Sequence, residues 1–141
     1  MIKDFVQKRV HHYYWNENLN CASTTLHVMS EYFKVDINPQ VFDAAVGMHG
    51  AGGYQAQCGI VEGTLLFIGI LGRSEGVCDE KIIAFCNEFA TMFEGKFKSL
   101  SCSVLRPEGF GPNNPPHICE DLTARSIDYN LQLIIDWLKN I

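Results

Sequence analysis

The sequence lacks the features by which several large classes of protein are recognised. It has no cluster of lysine and arginine, and its formal net charge of -5 opposes binding to a nucleic-acid backbone. The most hydrophobic segment, residues 64–72, is too short to cross a bilayer, so we predict no membrane insertion. No stretch shows strong period-two alternation of apolar and polar residues, so we predict no β-sheet.

Short motifs that would assign a function are also missing. The glycine-rich segment at residues 47–53 is not followed by Gly-Lys-Ser or Gly-Lys-Thr, which argues against a phosphate-binding loop. We interpret it as a segment that lets the backbone approach Cys58 closely. No Cys-x-x-Cys pair occurs, so neither a zinc ribbon nor a thioredoxin-like dithiol is indicated.

Targeting signals are absent from the first residues of the sequence. Residues 1–5 lack the long apolar stretch of a signal peptide, and we therefore expect a cytoplasmic protein. Thiols stay reduced in the cytoplasm. The 6 cysteines therefore indicate metal binding or redox chemistry more than structural disulfides.

What the sequence does contain is the composition and periodicity of a helical protein. Its 141 residues are 47% hydrophobic and 19% charged, which suits one globular domain over residues 1–141. Apolar residues recur at helical spacing in every long segment, so we predict a single all-α domain of about five helices. Gly95 is expected to end the helix that begins near Cys78. The core is expected to centre on four apolar residues: Leu26, Phe67, Phe89 and Leu131.

Four of the six cysteines lie at or near a predicted helix start. These are Cys21, Cys58, Cys102 and Cys119. A helix N-terminus presents free amides and a partial positive charge, and both stabilise a thiolate, which is the nucleophile and the metal ligand. Simple packing is the alternative for each of them, and we apply it to Cys86, which lies on an apolar helix face. The role of Cys78 is left open.

The order of these residues resembles a known family of small helical proteins with the C-GCAxxG-C-C cysteine pattern. Asn20-Cys21-Ala22 is similar to the family's first cysteine, and residues 47–53 to its glycine-rich segment. Residues 58–63 match its central Cys-Gly-Ala-x-x-Gly element, except that Ile60 replaces the alanine. Residues 97–102 and 117–119 resemble the third and fourth cysteine segments. The resemblance implies a redox role, which is ascribed to the family because of its cysteines, but no substrate.

Two redox functions fit the four cysteines, and a third interpretation involves no redox chemistry. Four thiolates suit an iron–sulfur cluster or a zinc ion, and then electron transfer. Alternatively, pairs of the same cysteines cycle between dithiol and disulfide, with Cys58 as an attacking thiol of lowered pKa. In the third interpretation the chain is a helical binding module whose cysteines only pack. Whether the protein is an enzyme, which redox partner it has and whether it forms a homodimer stay open.

Three further residues are candidates beside the cysteines. Glu62 lies four residues after Cys58 on the same helix face, where its carboxylate could accept the thiol proton; an exposed structural position is equally compatible. His49 lies in the glycine-rich segment, and His117 lies two residues before Cys119. Either histidine could be a ligand or a proton relay, although a solvated or capping histidine is the more common case.

Overall fold

The computed structural model describes residues 1–141 and contains helices but no strand. The helices are α1 (Ile2–Trp15), α2 (Cys21–Phe33), α3 (Pro39–Ala44), α4 (Gly50–Gly53), α5 (Gly59–Ser74), α6 (Asp79–Phe97), α7 (Cys102–Leu105) and α8 (Glu120–Lys139). The all-α prediction is confirmed, but the predicted number of about five helices is wrong. The difference lies in α3, α4 and α7, which have only 6, 4 and 4 residues. The start of α7 at Cys102 was among the predicted helix starts, but the count of about five covered only the long helices and left out those of one or two turns.

The centre of the core was predicted correctly. Leu26, Phe67, Phe89 and Leu131 are each 0% exposed and belong to one cluster of 25 buried apolar residues. None of the helices combines the length and the apolar character that crossing a membrane requires.

Helices α2 and α5 form the most extensive helix–helix contact in the fold. A Cβ atom at Gly63 would lie 2.7 Å from the carbonyl oxygen of Ala22, so only glycine allows this approach. One turn earlier, a Cβ at Gly59 would overlap the sulfur of Cys21. The two glycines therefore hold the starts of α2 and α5 side by side.

Asn20 attaches the start of α2 to the segment that follows α3. Its side-chain oxygen accepts a hydrogen bond from the amide of Ser23 at 2.8 Å, which is a helix N-cap. Its side-chain nitrogen donates to the carbonyl oxygens of Val46 at 2.7 Å and Ala45 at 3.2 Å. The same side chain thus caps one helix and fixes the approach of residues 45–49 to it.

A short pairing of extended backbone joins the residues before α5 to those before α7. Gln57 and Ser101 form an isolated antiparallel bridge. On either side of it, the amide of Cys58 donates to the carbonyl of Leu100 at 2.8 Å, and the amide of Cys102 donates to the carbonyl of Ala56 at 2.7 Å. These two bonds place the third cysteine beside the second.

Helix α6 ends later than predicted. It continues through Gly95 to Phe97, and Lys98 terminates it in the left-handed conformation with φ 77°. The ring of Phe97 packs against Phe93 with centroids 4.7 Å apart and against Tyr129 of α8 at 5.7 Å. This packing carries the buried face of α6 past the glycine, so tertiary contacts outweigh its preference for a helix end.

Candidate functional site

The thiols at the four predicted helix starts face a single cavity of about 450 Å³. Cys21 and Cys102 are the first residues of α2 and α7, and Cys58 and Cys119 immediately precede α5 and α8. We refer to these residues as the four cavity cysteines. The cavity wall also contains Tyr14, Asn20, His49, Arg106, Phe110 and His117.

Two glycines make room for cavity sulfurs. Gly59 lies against the sulfur of Cys21, as described above. Gly50 has φ +65°, and a Cβ there would lie 3.1 Å from the Cβ and 3.2 Å from the sulfur of Cys102. The close approach expected of the glycine-rich segment therefore occurs at Gly50, but toward Cys102 rather than Cys58.

Burial raises the pKa of Cys21 and Cys58, the thiols at the starts of α2 and α5, which we call the inner thiols. The pKa of Cys21 lies well above its ordinary value, mainly because the thiol is buried and also because Cys58 is close to it. At Cys58, which is 5% exposed, burial raises the pKa to about 11, although the amides of Ile60 and Val61 act to lower it. The prediction of a lowered pKa at Cys58 is therefore wrong, because desolvation outweighs the effect of the helix start.

Cys102 and Cys119, the thiols at the starts of α7 and α8, lie near the guanidinium of Arg106, and we call them the outer thiols. Burial again raises the pKa of each, while the charge of Arg106 lowers both. Nη1 of Arg106 lies 3.5 Å from the sulfur of Cys119. Sequence reasoning missed Arg106, and the one signal was that it is the only lysine or arginine between Cys102 and Cys119.

Both candidate histidines line the cavity. The side-chain amide of Asn20 donates to Nδ1 of His49 at 3.1 Å. His117 adopts a positive φ of 57°, and its ring stacks on Tyr14 at 5.2 Å and meets the edge of Trp15 at 4.7 Å. These contacts give both imidazoles a fixed place in the cavity wall.

Three residues considered in the sequence lie outside the cavity. The carboxylate of Glu62 accepts a hydrogen bond from Nε2 of Gln57 at 2.8 Å and does not reach the cavity wall. Cys86 is half-buried and packs against the core, as expected of a packing residue. Cys78 is exposed and precedes α6, away from the other thiols.

The cavity has an unusual charge distribution for this chain. The protein carries 16 acidic residues, yet none lines the cavity, whose charged group is Arg106. No three histidine, cysteine, aspartate or glutamate side chains are close enough together to hold one metal ion. The four cavity cysteines therefore line one cavity but do not form a compact site for a single ion.

The chain matches the model of a protein family described as "Putative redox-active protein (C_GCAxxG_C_C)" over residues 19–132. The matched range includes the four cavity cysteines, the glycine-rich segment and Arg106. No curated protein and no solved structure matches the chain.

Proposed function

This chain belongs to the C_GCAxxG_C_C family of redox-active proteins, and we propose that its cavity is an electron-transfer centre in which the four cavity cysteines hold an iron–sulfur cluster. The observation that carries the proposal is the arrangement of four thiols around one space of about 450 Å³. When bound, such a cluster would take up and release one electron. The residues of this chain would bind it, shield it from water and adjust its potential.

The donor set suits a cluster better than a single ion. Iron–sulfur clusters of the [2Fe–2S] and [4Fe–4S] types are held by four cysteine thiolates, the number that this cavity offers. A lone tetrahedral zinc ion needs all four sulfurs about 2.3 Å from one point. Sulfurs that surround a cavity without forming a compact ligand group support the larger of the two occupants.

The electrostatics of the wall favour an anionic group. Three long helices, α2, α5 and α8, start at cavity cysteines, so their free amides and partial positive charges lie at this wall. No carboxylate lines the cavity itself, because Glu62 in the first turn of α5 and Glu120 and Asp121 in the first turn of α8 lie outside its wall. A cluster bound by four thiolates is an anion, and its negative charge would compensate these positive ends.

Burial of the thiols adds a pH dependence to binding. Burial raises the pKa values of the four cavity cysteines, which favours the protonated thiols in the metal-free protein. A bound metal centre requires thiolates, so assembly releases protons into solvent. The apolar part of the wall, which includes Leu19, Ile60 and Leu122, then limits access of water to the centre.

A second function is favoured by one contact. The sulfur of Cys21 packs against Gly59, directly beside Cys58, so these two thiols are candidates for a dithiol–disulfide pair. Their oxidation would transfer two electrons and two protons to an oxidised partner disulfide and form one sulfur–sulfur bond. The raised pKa values of both thiols would slow this reaction at neutral pH.

Anaerobic purification tests the proposal. The protein should be coloured and contain iron and acid-labile sulfide. Serine at any one of the four cavity cysteines should lower the visible absorbance and the iron content. Cys86→Ser and Cys78→Ser are matched controls, because neither thiol lines the cavity, and both should retain the colour. A colourless protein that loses two titratable thiols on oxidation would instead support the dithiol function. A colourless protein with no change in thiols would contradict both functions.

A further inference from the structure

Arg106 differs from every other arginine in the chain. The three others, Arg9, Arg73 and Arg125, each form an ion pair with a carboxylate. Arg106 has no carboxylate partner, although it lies in the wall of a cavity. A guanidinium that is partly removed from water is costly unless an anion accompanies it.

The position of Arg106 is fixed by several contacts. Nε donates to the carbonyl of Gly109 at 2.8 Å, and the guanidinium lies over the ring of Phe110, 3.9 Å from the centroid. Its backbone amide donates to the carbonyl of Cys102 at 2.7 Å, and its own carbonyl accepts from Nε2 of Gln55 at 2.8 Å. Of the two terminal nitrogens, Nη1 is directed at the sulfur of Cys119. The side chain is thus held ready for an anion at that position.

We propose that Arg106 is a positioning residue that provides the fixed countercharge for the anionic form of the four-cysteine centre and acts through the sulfur of Cys119. Its effect on Cys119 follows from the geometry of the chain alone, whereas its effect on the reduction potential rests on the proposed function. The nearby carboxylate of Glu108 acts on Cys119 in the opposite direction, but it is exposed and outside the cavity wall. A positive charge stabilises the more negative, reduced state of a redox centre, so Arg106 should raise the potential.

The first test measures the charge beside Cys119 in the reduced, metal-free full chain. Each cysteine is alkylated with iodoacetate, an anion, and separately with neutral iodoacetamide, and the products are quantified by peptide mapping. Both reagents attack the same thiolate, so the rate with iodoacetate divided by the rate with iodoacetamide does not depend on the thiolate fraction. This ratio reports the local charge, because a nearby cation attracts only the anionic reagent. In the wild type this ratio should be higher at Cys119 than at Cys86.

Variants of Arg106 should change that ratio in a defined way. Arg106→Gln should lower it at Cys119 about fivefold, the effect of one unit charge about 4 Å away in water. Arg106→Lys keeps the charge and should retain most of the ratio. Arg125→Gln is the matched control, because it removes a paired, exposed arginine, and it should leave the ratio unchanged.

The second test measures the reduction potential of the anaerobically purified protein. Arg106→Gln should lower the midpoint, and Arg125→Gln should not. Equal iodoacetate preference at Cys119 and Cys86 in the wild type would overturn the inference, and this result needs no variant to fold. An unchanged ratio in a folded Arg106→Gln protein would overturn it as well. If the protein contains no cluster, the proposed function fails, while the alkylation ratio still decides the role of Arg106.

Discussion

The side of the cavity that carries Cys21 and Cys58, the inner wall, and the side that carries Cys102 and Cys119, the outer wall, are positioned by different interactions. Cys21 and Cys58 stand at the starts of two long helices, and glycines in the α2–α5 contact bring them together. Cys102 comes from a helix of 4 residues, and Cys119 follows the irregular segment 106–118. On the inner wall, helix packing determines where the sulfurs lie. On the outer wall, individual backbone hydrogen bonds and one arginine do so.

The two walls also differ in their electrostatics. The inner thiols have no cationic neighbour, and burial, their largest effect, raises their pKa values strongly. The outer thiols are raised by burial as well, but Arg106 lowers both. One side of the cavity therefore has buried thiols without a neighbouring cation, while the other offers a positive charge.

The largest expected effect on stability comes from a substitution that separates α2 from α5 at the inner wall. Gly63→Ala places a Cβ 2.7 Å from the Ala22 carbonyl, a backbone atom that moves only if the helices separate. We expect a loss of about 3 kcal/mol in the free energy of unfolding, the upper part of the range for overpacking. Gly69→Ala, on the same helix but with no atom within 4 Å, should instead gain up to about 1 kcal/mol. Urea unfolding measures both, and equal effects would show that α2 and α5 are not in close contact.

A second prediction uses the raised pKa of Cys58. Its pKa rises from 9.0 to about 11 on folding, so the folded state holds the thiol proton more tightly than the unfolded chain. The resulting stability is fully present below pH 9 and is lost as the pH rises toward 11, about 3 kcal/mol for this thiol. Unfolding of the reduced, metal-free protein from pH 8 to 11 should show this loss. It should be smaller in Cys58→Ala and undiminished in Cys78→Ala, whose thiol is exposed.

At the outer wall, the corresponding substitution is Gly50→Ala, which crowds Cys102. Gly50 has φ +65° and contacts Cys102, whereas Gly76 has φ +72° and no atom within 4 Å of an added Cβ. Alanine at Gly76 should cost about 1 kcal/mol for the left-handed backbone alone. Alanine at Gly50 should cost about 2 kcal/mol, because Cys102 must also shift. In the anaerobic protein, only Gly50→Ala should lower the iron content, and iron loss in both variants would contradict this assignment.

The smallest expected difference concerns two helix caps. Asn20 caps α2 and also binds the carbonyls of Ala45 and Val46, while Asn38 caps α3 through the amide of Gln40 alone. Asn20→Ala should cost about 1–2 kcal/mol and Asn38→Ala about 0.5–1 kcal/mol. Thermal unfolding compares the two. A larger effect at Asn38 would mean that the bonds from Asn20 to residues 45–46 contribute nothing.

Local features of the sequence were sufficient to predict the all-helical fold, its core and the helix starts at the four cavity cysteines. Asn20 before Cys21 and Ser101 before Cys102 are local signals, because such residues favour the start of a helix. The helical period also separated Cys86 from the cavity. The end of α6 was not predictable in this way, because the contact between Phe97 and Tyr129 depends on α8.

The sequence by itself therefore determined which segments are helical and which cysteines begin them, because capping and periodicity act over a few neighbouring residues. Only the tertiary structure decided that these thiols share a cavity, that Glu62 lies outside it and that Arg106 faces Cys119. It also reversed the expected pKa shift of Cys58. The physical reason is that burial and charge depend on residues far apart in the chain, whereas a helix start depends on its nearest neighbours.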